Sequence, residues 1–299
     1  MNDQLLELRS LASRAENRRT ETGIPRVAMV QGEIPEHMLA AVYDPMINLI
    51  LQGSKTMTVG DRTLRYDPAT YFVMSIELPA VGTVHPAASG EPYLALSLTL
   101  DPAVLSTLLT DLPSPARHNE SENDNNAGFS VAAVTPELMD AWLRMLRLMG
   151  RPEEITALAP VYEREILYRV LQGPHGWMLR EIAAPDTAMA RVSQAIQWIR
   201  RDFAEPIRVE ALAQKAAMSV SAFHRHFKAV TTLSPIQYQK RVRLLQARTL
   251  MVASAKSVTG AAFEVGYESA TQFSRDYTRV FGLPPARDTS RILQEMKSQ

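Results

Sequence analysis

The chain has 299 residues, of which 46% are hydrophobic and 21% are charged, so it is long and apolar enough for two folded domains and is not a disordered protein. It contains no cysteine, which excludes disulfides, thiolate metal sites and cysteine nucleophiles and fits a reducing compartment. The first residues lack a signal-peptide pattern and no stretch is apolar enough to span a membrane, so the sequence predicts a soluble cytoplasmic protein.

The net charge of zero conceals an asymmetry between two parts of the chain. Residues 1–186 hold 15 basic and 24 acidic residues, a net charge of −9, whereas residues 187–299 hold 17 basic and 8 acidic residues, a net charge of +9. A basic part of this kind is typical of a protein that binds a polyanion. From charge alone, the alternative is that basic helices simply present solvated faces. A further hypothesis is that the acidic part docks against the basic part and competes with its partner.

The chain begins with a predicted amphipathic helix at residues 3–16 and continues with β-structure. From about residue 24 the sequence consists of short apolar or alternating runs separated by turn residues. These runs predict strands at 46–51, 56–59, 63–66, 71–74 and 93–100. Gly60-Asp61, between two alternating runs, is typical of a tight hairpin. Several short strands at this spacing predict a barrel or a sandwich.

A polar, Asn-rich segment at 113–130 predicts a loop, after which helices begin. An apolar stripe runs along 138–149 at helical spacing. A second helix is predicted at 160–171, with Pro160 in its first turn. Proline and glycine near 175–187 mark the expected boundary between an N-terminal domain at 1–180 and a C-terminal domain at 187–299.

The basic part contains one pattern twice: a short helix, a tight turn and a second helix, at about 209–230 and 258–281. In a helix-turn-helix unit the second helix lies in the major groove of DNA, with its N-terminal residues near base edges. Arginine pairs with guanine and glutamine with adenine, while lysine, serine and threonine suit phosphates. The outward-facing residues predicted to bind DNA are Ser221, His224, Arg225, Lys228, Thr271, Gln272, Arg275 and Arg279.

A helix predicted from Pro235 to residue 252 separates the two units. Its 18 residues span roughly 27 Å, and successive major-groove faces lie about 34 Å apart. The spacing therefore predicts that one chain addresses two consecutive turns of double-stranded DNA.

The run GYESATQFSRDYTRVFGLPP at 266–285 resembles the C-terminal signature of the AraC/XylS transcriptional regulators. The upstream residues that match the same family are Leu212, Ala213, Ser219, Phe223, Arg225, Phe227, Lys228 and Pro235. The resemblance implies an all-α domain of two helix-turn-helix units joined by a linker helix. It implies base contacts from Ser221, Ala222 and Arg225 in the first unit. In the second unit it implies base contacts from Ala270, Thr271, Gln272 and Arg275.

The front half is similar, less specifically, to the N-terminal domain of some AraC-type regulators. The stretches that carry this similarity are LILQGSKTMTVGDRTLRYDPATYFVMSIELP at 49–79 and EPYLALSLTLDP at 91–102. The similarity implies a cupin-like β-barrel with a helical dimerisation segment, and hence an α+β fold class for the whole chain. The stripe at 138–149 fits that segment, but it fits packing onto its own barrel equally well.

Enzyme motifs are absent from the sequence: it has no Gly-x-Ser-x-Gly, P-loop or dinucleotide glycine pattern. The histidines of the front half, His37, His85, His118 and His175, are too scattered to predict a metal site. The carboxylates Glu77, Glu91 and Asp101 are interpreted as surface or turn residues. We therefore expect no catalytic residue, no metal and no cofactor.

Together these patterns predict a sequence-specific transcriptional regulator controlled by a small molecule in the N-terminal barrel. The expected partners are double-stranded DNA, a small-molecule effector, RNA polymerase if the protein activates transcription, and a second copy in a homodimer. No membrane is expected among them. Two alternatives are a metal-independent barrel enzyme fused to a DNA-binding tail and an architectural protein that bends DNA without reading sequence. Residues that line the barrel are not assigned, since a register shift of one residue exchanges inside and outside.

Overall fold

A computed structural model of the protein describes residues 2–16, 19–32, 40–112 and 127–297, and it has the predicted α+β architecture, with a β-rich part followed by a wholly helical part. The strands of the described residues are β1 (Arg19–Glu21), β2 (Val27–Gln31), β3 (Ala40–Tyr43), β4 (Met46–Gln52), β5 (Ser54–Val59), β6 (Arg62–Tyr66), β7 (Thr70–Met74), β8 (Leu78–His85), β9 (Leu94–Thr99) and β10 (Phe129–Ala133).

The helices in the same residues surround and follow these strands. They are α1 (Asn2–Ala12), α2 (Pro102–Asp111), α3 (Pro136–Arg147), α4 (Ile155–Gln172), α5 (Gly176–Ala183), α6 (Ala188–Arg201), α7 (Val209–Lys215), α8 (Val220–Thr231), α9 (Pro235–Ala253), α10 (Val258–Glu264), α11 (Ala270–Phe281) and α12 (Pro285–Lys297). Within the described part of the chain, no helix is both long and apolar enough to cross a membrane.

The strands form two antiparallel sheets that face each other. One has the order β1-β2-β9-β4-β7-β10 and the other has the order β3-β8-β5-β6. Tyr66 of β6 stacks on Phe72 of β7, with 5.1 Å between ring centroids, so the two sheets share one core. All five predicted strands are confirmed, and the predicted hairpin joins β5 to β6 through Gly60, whose φ of +61° suits a residue without Cβ.

Five strands are absent from the sequence prediction, namely β1, β2, β3, β8 and β10. Of these, β10 corrects the predicted loop at 113–130, because Phe129 and Ser130 already pair with β7. The side chain of Phe129 is buried against Phe72. The rest of that predicted loop, at 113–126, lies outside the described residues.

Two helix predictions in the front part also need correction. Helix α1 ends at Ala12, so residues 13–16 of the predicted helix lie beyond it. Helix α4 begins at Ile155, which places Pro160 inside the helix and not in its first turn. A short 3₁₀ turn at Pro152–Glu154 precedes α4 and moves its start five residues upstream of the predicted one. Pro160 has no backbone N–H, so its position inside α4 costs the helix one backbone hydrogen bond.

The apolar stripe at 138–149 packs inside its own chain. Helix α3 contacts both α1 and α4, and the side chains of Leu138, Trp142 and Leu146 are buried. Since Trp142 is fully buried, these side chains are not available to a second copy of the protein. The interpretation of the stripe as a dimerisation surface is therefore wrong, and the alternative of packing onto its own domain is correct.

Two separate apolar cores support the two helix-turn-helix units. Phe223, Phe227 and Tyr238 belong to the same buried cluster as the β-sheets. Phe273 and Tyr277 belong to a smaller cluster of their own, formed by α9, α10 and α11. The first unit is thus continuous with the N-terminal core, whereas the second unit has a core of its own on α9, which Phe203 of the segment after α6 also contacts.

Direct contacts join the sheets to the first unit. The backbone N–H of Gly128 donates to the carbonyl of Val230 at 2.8 Å, and the Thr232 hydroxyl donates to the carbonyl of Val59 at 3.0 Å. The Tyr238 hydroxyl donates to the carbonyl of Glu77 at 2.9 Å. These three hydrogen bonds lie at the end of α8 and the start of α9, and we call this set of contacts the clasp.

Candidate nucleic-acid interface

Helix α8 is held by its cap and by an inner row of aromatic residues. The Ser219 hydroxyl accepts a hydrogen bond from the N–H of Ala222, which satisfies one of the free donors of the first turn. Phe223 and Phe227 lie one turn apart on the buried face, and their ring centroids are 5.5 Å apart. Phe227 also meets Tyr238 of α9 edge to face at 5.7 Å. This packing fixes which face of α8 points to solvent.

The predicted DNA-binding residues of α8 are on that outer face. Ser221, His224, Arg225 and Lys228 are exposed, and Ala222 is half-buried. Arg225 donates to Nε2 of His226 at 3.4 Å, because a guanidinium cannot accept a hydrogen bond. Burial, and then the charge of Arg225, lower the pKa of His226, so this histidine stays a neutral acceptor beside the arginine.

Helix α11 has the same construction. The Ser269 hydroxyl caps it by accepting from the N–H of Gln272. On the buried face, the Phe273 ring lies 5.3 Å from that of Tyr267 and 5.5 Å from that of Tyr277. On the outer face the predicted residues Thr271, Gln272, Arg275 and Arg279 are exposed, and Ala270 is half-buried.

The two units correspond residue by residue at a constant separation of 50 positions. The matching pairs are Ser219 and Ser269 at the caps, Phe223 and Phe273, Phe227 and Tyr277 on the inner rows, Arg225 and Arg275 on the outer faces, Thr232 and Gly282 at the left-handed ends, and Pro235 and Pro285 at the next helix. Arg225 and Arg275 therefore occupy equivalent positions in the two repeats.

The basic residues of this half divide into those used inside the fold and those left for a partner. Arg243 donates to the carbonyls of Phe203, Ala204 and Gly266 at 2.7, 2.9 and 2.8 Å, and so ties α9 to the segment before α7 and to the turn before α11. A Cβ at Gly266 would overlap the carbonyl of Ala204, so this close approach requires glycine. The role of Arg243 was not predictable from the sequence, because residue type alone does not show which carbonyls a mid-helix arginine reaches.

Four cations on the outer faces have no such role. Among the residues that the structure describes, no carboxylate pairs with Arg225, Lys228, Arg275 or Arg279. An exposed guanidinium without an acidic neighbour keeps its full charge for phosphate oxygens or guanine, and Arg225 uses only one of its five N–H donors, on His226. The N-terminal domain docks against the first unit, as the charge hypothesis expects, but the contacts that we describe lie at the clasp and leave these four side chains exposed. That this docking competes with DNA stays a prediction.

Comparisons with known proteins agree with this geometry. A family model described as the AraC-type transcriptional regulator N-terminus matches residues 23–178, which is more than half of the chain. The chain belongs to the AraC-type transcriptional regulators. A second family model, described as a helix-turn-helix domain, matches residues 212–291 and includes both α8 and α11 of this AraC-type chain. The resemblance inferred from the sequence is thus confirmed.

Two similar AraC-type proteins are the transcriptional activators RhaS of Escherichia fergusonii and of Klebsiella pneumoniae. The first is 35% identical over 145 residues, which are 46% of this chain and 51% of that protein. The second is 34% identical over 169 residues, which are 56% of this chain and 58% of that protein. The chain therefore spans little more than half the length of the curated relatives that it matches.

The arrangement of both domains also has a counterpart among solved structures. The crystal structure of ToxT from Vibrio cholerae aligns with a TM-score of 0.54, covering 88% of this chain and 97% of that one. The sequences are only 9% identical, so this likeness concerns the fold alone.

Proposed function

We propose that this AraC-type chain binds a specific DNA site, with α8 and α11 in successive major grooves of one duplex, and thereby regulates transcription. The observation that carries the proposal is the repeat at 50 positions, which places an exposed arginine without an ion pair at the same point of two capped helices. Helix α9 has 19 residues and spans about 28 Å, close to the roughly 34 Å between groove faces.

The outer-face residues divide into two proposed roles. Arg225 and Arg275 read guanine, and Gln272 reads adenine, while Ser221, Ala222, Ala270 and Thr271 lie at the same N-terminal ends beside the bases. His224, Lys228 and Arg279 contact the phosphate backbone and hold the register.

The remaining parts of the proposal concern the domains and their partners. Residues 1–180 form a cupin-like sensor that binds a small molecule between its sheets, and residues 187–299 form the DNA-binding domain. The protein is cytoplasmic, activates transcription through contact with RNA polymerase, acts as a homodimer and catalyses no reaction. Activation is supported by the RhaS relatives, which are transcriptional activators. Barrel catalysis has no such support from these relatives, and the sequence holds no motif that supplies a nucleophile.

The clasp provides a route from ligand to DNA. It fixes the end of α8 and the start of α9 to the sheets, whereas α11 belongs to a separate core. Two ion pairs strengthen the same attachment between the domains: Arg200 of α6 pairs with Glu77 at 2.6 Å and with Asp44 at 3.4 Å, both of them acidic residues of the N-terminal domain. A ligand that favours a different clasp geometry would change the placement of one reading helix relative to the other. Such a switch requires that the ligand bind the two states with different affinity.

The test is a selection of bound fragments from random DNA by the full-length protein. We expect one discrete site of about two helical turns, protected in footprints. Arg225→Ala and Arg275→Ala should each relax a different part of that site. The matched control is Arg65→Ala, an exposed arginine on β6. Uniform protection of random DNA would indicate an architectural protein instead, and turnover of any small molecule that binds would favour the barrel enzyme.

A further inference from the structure

Lys55 lies in the core between the two sheets, although lysine is rarely buried without a partner. It occupies β5, directly opposite Tyr66 of β6 in the strand register, so the two side chains share one face of the four-stranded sheet. Tyr66 in turn stacks on Phe72 of the six-stranded sheet, which shows that this face is the inner one. Only 6% of Lys55 is exposed.

The part of the chain that the structure describes offers this lysine no counter-charge. Within the described residues, no carboxylate and no hydrogen-bond acceptor contacts its ammonium group. Its one recorded polar neighbour is the ring of Tyr43, whose centroid lies 5.2 Å from Nζ. Burial lowers the pKa of Lys55 to about 8, so roughly nine in ten molecules still carry the charge at neutral pH.

Two tyrosine side chains, Tyr66 and Tyr93, lie in the same part of the core as Lys55. The Tyr66 hydroxyl is buried and has no hydrogen-bond partner in the described structure. Tyr93 is also buried, and its hydroxyl donates to Oδ1 of Asn48 at 3.4 Å, a long contact. Burial raises the pKa of both tyrosines; for Tyr66 the proximity of Tyr93 and Tyr43 raises it further, and for Tyr93 the proximity of Tyr43 does so. Both therefore remain neutral groups able to donate.

We infer that this cluster, formed by Lys55, Tyr43, Tyr66, Tyr93 and Phe72, is a binding site for a small monocarboxylate with an apolar body. The Lys55 ammonium pairs with the carboxylate, and the unpartnered Tyr66 hydroxyl donates to it. The Phe72 and Tyr43 rings contact the apolar body. One cation matches one negative charge, and a phosphate with two charges would leave one uncompensated inside the core. The inference rests on the proposed sensor role of this domain and names the chemical class of its ligand.

The experiment measures thermal unfolding and binding heat of the full-length protein in a buffer free of carboxylates. The probes are acetate, benzoate and octanoate, each compared with its neutral amide at equal concentration. We expect at least one carboxylate to raise the unfolding temperature and its amide to have no effect. Lys55→Met should weaken that binding at least about 30-fold, since it leaves the bound charge unpaired. Tyr66→Phe, which removes only a hydroxyl, should weaken it roughly tenfold.

A matched control is Lys256→Met, which changes an exposed lysine outside the sheets and should leave the binding unchanged. The inference is overturned if no carboxylate binds, if the amides bind equally well, or if Lys55→Met binds like the unaltered protein. Failure of carboxylate binding together with selection of a discrete DNA site would reject this ligand class alone. Lys55-dependent binding in a protein that selects no DNA site would reject the proposed function and leave this site standing.

Discussion

The Arg248 guanidinium and the Asp288 carboxylate form a two-point ion pair, with Nε–Oδ2 at 2.9 Å and Nη2–Oδ1 at 3.1 Å. Asp288 is completely buried and Arg248 is 7% exposed. The Tyr277 hydroxyl donates to the same carboxylate at 2.8 Å, and burial followed by the charge of Asp288 raises the pKa of Tyr277. One carboxylate thus joins α9, α11 and α12, and the ring of Phe281 lies 4.4 Å from the guanidinium carbon.

Asp288→Asn should destabilise the second unit by about 3–5 kcal/mol, because it leaves the Arg248 guanidinium buried without a counter-charge. Urea unfolding of the full-length protein, followed by circular dichroism, measures this loss. Glu7→Gln is the control, since it breaks an exposed ion pair with Arg147 and should leave the midpoint unchanged. Equal midpoints for the two variants would show that the buried pair does not hold the three helices together.

Arg275→Ala and Lys228→Ala should weaken DNA binding in different ways. The arginine change should cost about 1–3 kcal/mol and relax the preference at one base position, because a bidentate base contact is lost. The lysine change should weaken binding to all sequences alike and reduce the salt slope by about one. Fluorescence anisotropy on the selected site and its single-base variants, at several KCl concentrations, separates the two effects. If both variants lose base preference equally, the assigned roles are incorrect.

Phe273→Ala and Phe223→Ala test the separation of the two cores. Each should cost roughly 3–5 kcal/mol by leaving a cavity. Since Phe273 belongs to the small cluster of the second unit, its loss should raise hydrogen exchange in α10, α11, α12 and the C-terminal half of α9, and not at the clasp. Phe223 belongs to the cluster shared with the sheets, so its loss should also raise exchange at the clasp. Hydrogen-exchange mass spectrometry that gives the same pattern for both would contradict the division.

Lys55 should make the fold more stable at high pH. Its pKa is about 8 in the folded protein against 10.5 for an ordinary lysine, so the folded state binds fewer protons between these values. The stability of the unaltered protein relative to Lys55→Met should therefore rise by about 3 kcal/mol as the pH increases from 8 to 10.5. Tyr43, Tyr66 and Tyr93 face the same group, and burial raises the pKa of each above the ordinary value of 10.0, so their ionisation in the unfolded chain lowers the stability of both proteins alike above about pH 10. Parallel pH profiles of the two proteins would show that Lys55 does not titrate in this way.

Local signals explain why the DNA-binding half was predictable. Ser219, Pro235 and Gly282 begin or end helices through backbone chemistry that acts within a few residues. The predicted bounds of the two units and of helix α9 agree with the structure within one residue. The predicted binding residues followed, because helical period alone separates Arg225 from Phe223. Their contact with DNA remains a prediction.

Long-range relationships were not predictable in the same way. The ion pair of Arg248 with Asp288 joins residues 40 positions apart, and the clasp joins Val59 to Thr232 across 173 positions. No periodicity connects such residues, since their contact depends on how whole elements pack. The inner position of Lys55 was missed for the same reason, because strand alternation does not show which face meets the second sheet.

Gly60→Ala should strengthen DNA binding by the full-length protein, because we expect the clasp to oppose DNA binding and this change to loosen the clasp. A Cβ at Gly60 would overlap the side chain of Thr232, so the variant should loosen the contact between the hairpin and the turn from α8 to α9. Gly90→Ala is the matched control: its φ of +87° carries a similar backbone cost of about 1–2 kcal/mol, but open space surrounds its Cβ. We expect roughly fivefold tighter binding for Gly60→Ala and no change for Gly90→Ala, measured by anisotropy at one salt concentration. Because α11 belongs to a separate core, loosening the clasp lets α8 move relative to α11. The two helices can then match the spacing of successive major grooves. Unchanged binding by both variants would mean that the clasp is structural only, and a ligand would then have to act on DNA binding by another route.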